Sequence, residues 1–370
     1  MNALRLVLYD KPRDFLDALQ AFDDTNLSFA AGEVYDRLNP LFTEGEESWE
    51  MRAADQHTFM AVWRADQLMY VSNHCCTHID SLTRPPHTHC SITLSRADAS
   101  RPWVLSLPRG VLEHFPESIP EAVNLVANAL FESIIDPRRL DKLLGPAGCV
   151  EAFLEIWASL LPTRGLRAIL TAPEATHFRT QTSYATLATL PALPSSPPGL
   201  HIAQVHTLDD AIIVAQLAVA FADHTGLSQT TLEQATGQMR TAMRMEQLWS
   251  CRIDGDIVAY LLAGRATPKT VTIRNVYVAP QHRRKGVAEM MVRCITRWYL
   301  GADPTGLVDV PPLLEEENRP REVSLYVAEE GVARIYARCG YLLRDGDRGP
   351  ETGLVAALDS LDVRPKYIEV

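Results

Sequence analysis

The basic residues Arg283, Arg284 and Lys285 directly precede Gly286, and this run is where residue type and spacing most clearly indicate chemistry. Residues 270–278 before it are rich in β-branched and aromatic side chains, which predicts a strand. Residues 287–298 after it have apolar positions at helical period. Backbone N–H groups at a helix start favour an anion, and glycine lets the main chain approach a ligand closely. The basic loop (residues 283–286) is therefore predicted to bind a diphosphate.

Other phosphate-binding motifs do not fit the basic loop. A Walker-type loop ends in Gly-Lys-(Ser/Thr), and a dinucleotide fingerprint needs three spaced glycines; residues 283–288 have neither. A solvated turn between a strand and a helix is the alternative that these residues leave open.

The segment Arg283-Arg-Lys-Gly-Val-Ala288 resembles the (Gln/Arg)-x-x-Gly-x-(Gly/Ala) motif of the GNAT superfamily of acyl-CoA N-acyltransferases. As in that family, it lies between a Val-x-Val-x-Pro strand end and a long helix. The resemblance implies acetyl-CoA as co-substrate, with the N–H groups of Val276 and Val278 orienting its pantetheine arm and polarising the thioester. The residues that it implies for binding acetyl-CoA are Val276, Tyr277, Val278, Arg283, Arg284, Lys285, Gly286, Val287 and Ala288.

A second segment, Ala333-Arg-Ile-Tyr336-x-x-x-Gly340-Tyr341, resembles the Ala-x-x-Leu-Tyr-x-x-x-Gly-Phe motif of the same family. The resemblance places Tyr336 near the thioester sulfur. It implies that Tyr336 is the catalytic general acid toward the CoA thiolate, because a phenol of pKa ~10 carries its proton at neutral pH. A tyrosine that only packs on the helix face is the alternative.

Some family positions hold other residues. Glu329 stands where many members have asparagine, and Arg274 and Asn275 stand where some have a glutamate base. The base is therefore unassigned. Asp223 and His224, predicted in the loop between the first two helices of this domain, are candidates, although a polar turn that ends a helix explains them equally well.

A group of histidines and cysteines in the first half contains residue types that bind zinc. Its spacing matches no common zinc motif, and alternation along a strand accounts for His87 and His89. We therefore expect no metal site. The group consists of His74, Cys75, Cys76, His78, His87, His89 and Cys90.

The Pro-rich stretch 191–199 suggests a linker, because its prolines exclude a helix or a central strand. We predict a degenerate GNAT-like domain over residues 1–190, which lacks the basic-loop motif, and a GNAT acetyltransferase domain over residues 200–370. The fold class implied is α/β (α+β), with a mixed, mostly antiparallel central sheet flanked by helices in each domain. Predicted strands include residues 4–8, 58–64, 67–73, 87–95, 103–107, 167–171, 183–190, 201–205, 248–253, 257–263, 270–278 and 322–328; predicted helices include residues 11–22, 120–131, 150–161, 208–221, 230–245 and 332–341.

Composition limits the classes of function. The 370 residues carry a formal net charge of −11, which argues against a nucleic-acid-binding surface. No apolar run approaches ~18 residues and the start of the chain lacks signal-peptide architecture, so we expect a cytoplasmic protein without membrane contact. The seven cysteines have no framework spacing and are expected to be reduced.

These observations predict an acetyl-CoA-dependent N-acetyltransferase. It would transfer an acetyl group to a primary amine of a small molecule or peptide by direct attack in a ternary complex. A non-catalytic acyl-CoA-binding or scaffold protein of the same fold is the alternative, since the missing glutamate and asparagine are compatible with lost chemistry.

Overall fold

A computed structural model describes residues 4–42, 58–65, 88–96, 102–170, 176–192, 199–225, 230–303, 307, 312, 314–344 and 346–369. The predicted strand over residues 67–73 lies outside the described residues. So do His74, Cys75, Cys76, His78 and His87, together with the side chains of His89 and Cys90.

The chain forms two compact units. The first comprises residues 1–34, 50–180 and 358–370, and the second comprises residues 35–49 and 181–357. The second unit thus includes residues 181–192, and the first includes the last residues of the chain. The predicted domain division at residues 191–199 remains a proposal about the two halves of the sequence.

The elements follow one another along the chain in this order: β1 (Leu4–Tyr9), α1 (Pro12–Leu19), α2 (Ser28–Leu38), β2 (Thr58–Ala65), β3 (Thr88–Arg96), β4 (Trp103–Ser106), α3 (Val111–His114), α4 (Ile119–Ser133), β5 (Leu143–Pro146), α5 (Ala147–Leu160), β6 (Leu166–Ile169), β7 (Thr176–Ala185), β8 (Leu200–Gln204), α6 (Leu208–Thr225), α7 (Leu232–Arg244), β9 (Leu248–Ile253), β10 (Asp256–Gly264), β11 (Thr270–Val278), α8 (Val287–Tyr299), β12 (Glu322–Val327), α9 (Glu330–Arg338), β13 (Leu358–Arg364) and β14 (Lys366–Glu369).

Both units repeat one pattern of strand pairing. In the first, β1 to β4 pair antiparallel in sequence order, β4 pairs parallel with β5, and β13 pairs antiparallel with β5. In the second, β8 to β11 pair antiparallel, β11 pairs parallel with β12, and β7 pairs antiparallel with β12. Each unit is therefore a mixed, mostly antiparallel sheet flanked by helices, which confirms the predicted fold class.

Strand β10 shows why the second unit has helices on both faces of its sheet. Its residues from Val258 to Gly264 are all buried. Ala259 and Leu261 pack in the core that contains α8, whereas Tyr260 and Leu262 pack in the core that contains α6 and α7. Alternate side chains of a strand point to opposite faces, so an almost continuously apolar strand requires cover on both sides.

Several elements differ from the predictions. The strand predicted over residues 183–190 is β7, which ends at Ala185, where a capping box at Thr186 starts a 3-10 turn. Helix α6 continues to Thr225, whose hydroxyl bonds back to the carbonyl of Phe221. Strands β5, β13 and β14 were not predicted from the sequence. Strand β5 is only four residues long, and an added Cβ at its Gly145 would lie 2.6 Å from the carbonyl oxygen of Leu105 in β4.

Candidate active site

The basic loop joins β11 to α8 through two left-handed residues. After one 3-10 turn at Pro280–His282, Arg284 has φ 62° and Gly286, the N-cap of α8, has φ 77°. A left-handed conformation costs a non-glycine residue about 1–2 kcal/mol, so the strain at Arg284 must be offset by its surroundings. Successive backbone N–H groups in such a turn, at the N-terminus of a helix, form a concavity that favours an anion.

The space where a side chain at Gly286 would lie is open. A Cβ added there would have no heavy atom within 4 Å, so the positive φ, rather than crowding by the protein, explains the glycine. The side chains of Arg284 and Lys285 are exposed and make no hydrogen bond or ion pair with a described residue. The basic loop therefore offers backbone N–H groups, two cationic side chains and free space to an anionic ligand.

Arg283 behaves differently from its two basic neighbours. Its Nε donates to the carbonyl oxygen of Val278 at 3.0 Å, and its guanidinium carbon lies 5.3 Å from the ring centroid of Tyr277. The side chain thus folds back onto the end of β11 and fixes the start of the basic loop.

Strands β11 and β12 separate before the basic loop begins. Their parallel pairing runs from Thr270 with Glu322 to Ile273 with Leu325, although β11 continues to Val278. On its other edge, β11 stays paired with β10 as far as Val278. The second half of β11 consequently has one edge that β12 does not cover.

The backbone N–H groups of Val276 and Val278 point toward that uncovered edge. Ala279 donates its N–H to Val258 of the β10 side at 2.9 Å, and N–H groups along a strand alternate in direction. Those of Val276 and Val278 therefore face away from β10. The carbonyl of Val278, which accepts from Arg283, faces the same way, in agreement with this assignment. Both groups therefore line the edge of β11 that β12 does not cover.

A β-bulge in β11 precedes the uncovered edge and was missed from the sequence. Leu262 of β10 lies opposite Asn275, whereas the next residue, Ala263, lies opposite Ile273, so Arg274 has no opposite residue. A bulge bends a strand and disrupts its ladder locally. It accounts for the end of the β11–β12 pairing at Ile273, and the alternating apolar sequence gives no signal for it.

Tyr336 lies in α9, half-buried against the hydrophobic core that also contacts Val276 and Ala288. Its ring centroid is 6.1 Å from that of Tyr341, whose hydroxyl forms a 2.9 Å hydrogen bond with Thr296 of α8. Burial raises the pKa of Tyr336 to about 12, and the neighbouring Cys339 acts in the same direction. The phenol therefore carries its proton across the neutral range, as a donor must.

Helices α8 and α9 are joined by an ion-pair cluster that was not predicted from the sequence. Both Nε and Nη2 of Arg338 donate to Oε2 of Glu289, at 3.0 and 2.6 Å, and Arg293 donates to Oε1 at 2.9 Å. The hydrogen bond from Arg338 is the main reason why the pKa of Glu289 is lowered. The spacing of Glu289 and Arg293, four residues apart on a helix, was the only sequence signal.

The two candidate bases, and Glu329, lie on exposed positions. Asp223 and His224 are in the last turn of α6 rather than in a loop, and both side chains are exposed. This corrects the predicted end of that helix. Glu329 is the exposed N-cap of α9, where its carbonyl accepts the N–H groups of Val332 and Ala333.

The corresponding loop of the first unit is occupied by the chain itself. After β4, Gly110 has φ 90° and is the N-cap of the short helix α3. The preceding residue, Arg109, donates its backbone N–H to Oδ2 of Asp24 at 2.6 Å. Oδ1 of Asp24 accepts the N–H groups of Asn26 and Leu27 at 2.9 and 3.0 Å. A carboxylate of this chain thus lies in the first unit at the loop that corresponds to the basic loop of the second.

The described residues include no cluster of three or more histidine, cysteine, aspartate or glutamate side chains arranged to bind a metal ion. None of the helices described has the length and apolarity to cross a bilayer.

Solved structures similar to this chain include several GNAT proteins. A tandem GNAT protein from the clavulanic acid biosynthesis pathway has 11% identity and a TM-score of 0.45, covering 98% of both chains. A GCN5-related N-acetyltransferase from Sphaerobacter thermophilus has 13% identity and a TM-score of 0.44, covering 99% of this chain and 96% of its own. An acetyltransferase of the GNAT family from Colwellia psychrerythraea has 12% identity and a TM-score of 0.44, covering 97% of this chain and 99% of its own.

No curated protein matches the chain in sequence. The family model described as an acetyltransferase (GNAT) domain matches residues 244–343, a segment that contains β11, the basic loop, α8 and α9. The second unit thus contains a segment that matches a GNAT acetyltransferase domain.

Proposed function

We propose that the protein is an acetyl-CoA-dependent N-acetyltransferase that acetylates a primary amine of a small molecule or peptide by direct attack in a ternary complex. The observation that carries the proposal is the uncovered edge of β11, which leads directly into the open basic loop. An extended thioester with a diphosphate at one end has the chemistry that this sequence of groups would bind.

Acetyl-CoA would supply the activated acetyl group. In the proposed site, the N–H groups of residues 284–288 bind the diphosphate, and the exposed side chains of Arg284 and Lys285 add positive charge. The N–H groups of Val276 and Val278 hold the pantetheine arm and polarise the thioester carbonyl. Tyr277 contributes through its ring, which supports Arg283 at the start of the loop.

Tyr336 is the proposed general acid toward the sulfur of CoA. Its half-buried phenol packs against the same core as Val276, and its raised pKa keeps the proton in place until negative charge develops on sulfur. No side chain is assigned as base. The amine would attack as the neutral species or lose its proton to water.

Two measurements test this function and separate it from a non-catalytic acyl-CoA-binding role. First, millimolar acetyl-CoA is expected to raise the melting temperature, because a ligand that binds only the folded state stabilises it by mass action. Second, an amine panel is screened for release of free CoA thiol. Stabilisation without thiol release from any amine would favour the binding protein, and absence of both results would contradict the proposed site.

A further inference from the structure

We propose that Glu289 is a positioning residue that holds Tyr336 in place, by binding the helix that carries Tyr336 to the helix that follows the basic loop. The inference rests on the proposed function of Tyr336. It concerns the cluster of Glu289, Arg293 and Arg338, to which the acyltransferase chemistry itself assigns no role.

Helix α9 depends on contacts outside itself for its position. It has nine residues, which is too short to be stable alone, and none of its side chains is fully buried. Three of its side chains contact the hydrophobic core but are only half-buried: Val332, Ala333 and Tyr336. Contacts with α8 therefore help to fix how α9 is oriented and where it lies along α8.

Glu289 supplies several of those contacts from one residue. Its carboxylate accepts two hydrogen bonds from Arg338, and its backbone carbonyl lies 3.6 Å from the Sγ of Cys339, the residue that ends α9. Arg293 holds the other carboxylate oxygen and also donates to the carbonyl of Ala192 at 3.2 Å, so the carboxylate is held from two sides. The Glu289 side chain is 24% exposed, which limits screening by solvent.

The contacts between Glu289 and Arg338 lie close to both parts of the proposed site. Glu289 is three residues after Gly286, in the first turn of α8, and Arg338 is two residues after Tyr336. The cluster thus joins the turn that would hold the diphosphate to the turn that would place the phenol beside sulfur. A misplacement of about 1 Å in a reacting geometry costs up to about 10²-fold in rate.

The test uses Glu289→Gln and Arg338→Gln, with Glu330→Gln as the matched control. Glu330 pairs with Arg334 within α9, is exposed, and makes no contact with α8 in that pair. We expect both test variants to lower kcat between about 10-fold and 10²-fold with acetyl-CoA affinity within about threefold of the parent. The control is expected to leave kcat within about twofold, as for an exposed i,i+4 pair.

A double-mutant cycle with Tyr336→Phe distinguishes positioning from a general structural role. If Glu289 acts through the phenol hydroxyl, Glu289→Gln changes kcat by less than about twofold in the Tyr336→Phe background. An equal loss in both backgrounds overturns the proposal, as does parental kcat in Glu289→Gln. Loss of acetyl-CoA binding in Glu289→Gln also overturns it, because the residue would then support the basic loop.

A readout that needs no turnover separates this proposal from the proposed function. Backbone amide hydrogen exchange over residues 330–338, which form α9, is expected to be faster in Glu289→Gln and Arg338→Gln than in the parent, and unchanged in α8. If the parent acetylates no amine, the proposed function fails and the exchange of α9 alone decides whether Glu289 positions it. Parental exchange in both variants overturns the positioning role.

Discussion

Tyr336 is the residue whose proposed role can be separated most cleanly from packing. Its ring, in α9, lies 6.1 Å from the ring of Tyr341, so the two tyrosines are neighbours that differ in what their hydroxyls meet. The Tyr341 hydroxyl has a partner in Thr296, whereas that of Tyr336 is proposed to meet the sulfur of CoA. Removing each hydroxyl in turn therefore tests chemistry against structure.

We expect Tyr336→Phe to lower turnover by about 10²–10⁴-fold, the usual contribution of a positioned general acid, with acetyl-CoA affinity nearly unchanged. The hydroxyl meets charge that develops only as the thioester breaks, so its loss affects the transition state more than the ground state. Steady-state kinetics and calorimetric affinity provide the measurement. Tyr341→Phe is the matched control and is expected to lower turnover far less, because it removes a contact with Thr296 of α8 but no proton donor to sulfur. Turnover of Tyr336→Phe that is close to the control would show that Tyr336 only packs.

The raised pKa of Tyr336 also predicts how stability depends on pH. The folded protein holds this proton up to a pKa of about 12, whereas an exposed tyrosine in the unfolded chain titrates near ~10. The resulting contribution is fully present below pH ~10 and is lost as the pH rises to about 12. We expect the free energy of unfolding, from urea titrations at pH 8, 10 and 11, to fall less steeply in Tyr336→Phe. Identical slopes in parent and variant would indicate that Tyr336 is not buried in solution.

At the scale of elements, β11, the basic loop and α8 form one continuous segment of the proposed binding site. The bulge at Arg274 ends the pairing with β12, the N–H groups of Val276 and Val278 face the uncovered edge, and α8 begins at Gly286. Each part follows from backbone conformation rather than from a particular side chain. Substitutions that change the backbone or the space at Gly286 are therefore the direct test.

We expect Gly286→Glu to abolish the rise in melting temperature caused by acetyl-CoA. The new side chain would fill the open space beside the loop and bring a negative charge to the place proposed for the diphosphate. Gly353→Glu is the matched control, because Gly353 also has a positive φ, 67°, and no heavy atom within 4 Å of an added Cβ. Both variants carry similar backbone strain, so only the first is expected to lose binding. Retained binding in folded Gly286→Glu would show that the basic loop is not the diphosphate site.

At the scale of the whole molecule, the two units share a pattern of strand pairing but differ at the loop after the fourth strand. The second unit has open space beside Gly286, whereas in the first the carboxylate of Asp24 accepts the N–H of Arg109. An internal carboxylate at this loop would compete with a diphosphate for the same kind of donor and would repel its charge. The duplication of the fold therefore does not imply duplication of the binding site.

We expect the chain to bind one equivalent of acetyl-CoA, through the second unit. Isothermal titration calorimetry of the parent protein measures this stoichiometry directly. In Gly286→Glu, the heat of binding is expected to disappear completely. A second equivalent in the parent, or binding that persists in this variant, would place a site in the first unit and contradict the competition by Asp24.

The sequence by itself determined the elements that have strong local signals. Strands β9 and β11 have the predicted bounds, Leu248–Ile253 and Thr270–Val278, because runs rich in apolar and β-branched residues, bounded by turn residues, define both ends. Gly340 ends α9 at the C′ position with φ 101°, as its motif predicted. The Arg-x-x-Gly-x-Ala segment and the second motif with its tyrosine, and hence the resemblance to the GNAT family, were also readable, since they depend on residue identity at fixed spacing.

Only the tertiary structure decided what depends on partners distant in sequence. Strands β5 and β13 exist because each pairs with another strand, and neither short segment has a period of its own. The bulge at Arg274 is a register difference between two strands, and the ion pair of Glu289 with Arg338 joins residues 49 positions apart. Register and long-range charge pairing are properties of two segments together, so the pattern of either segment alone does not contain them.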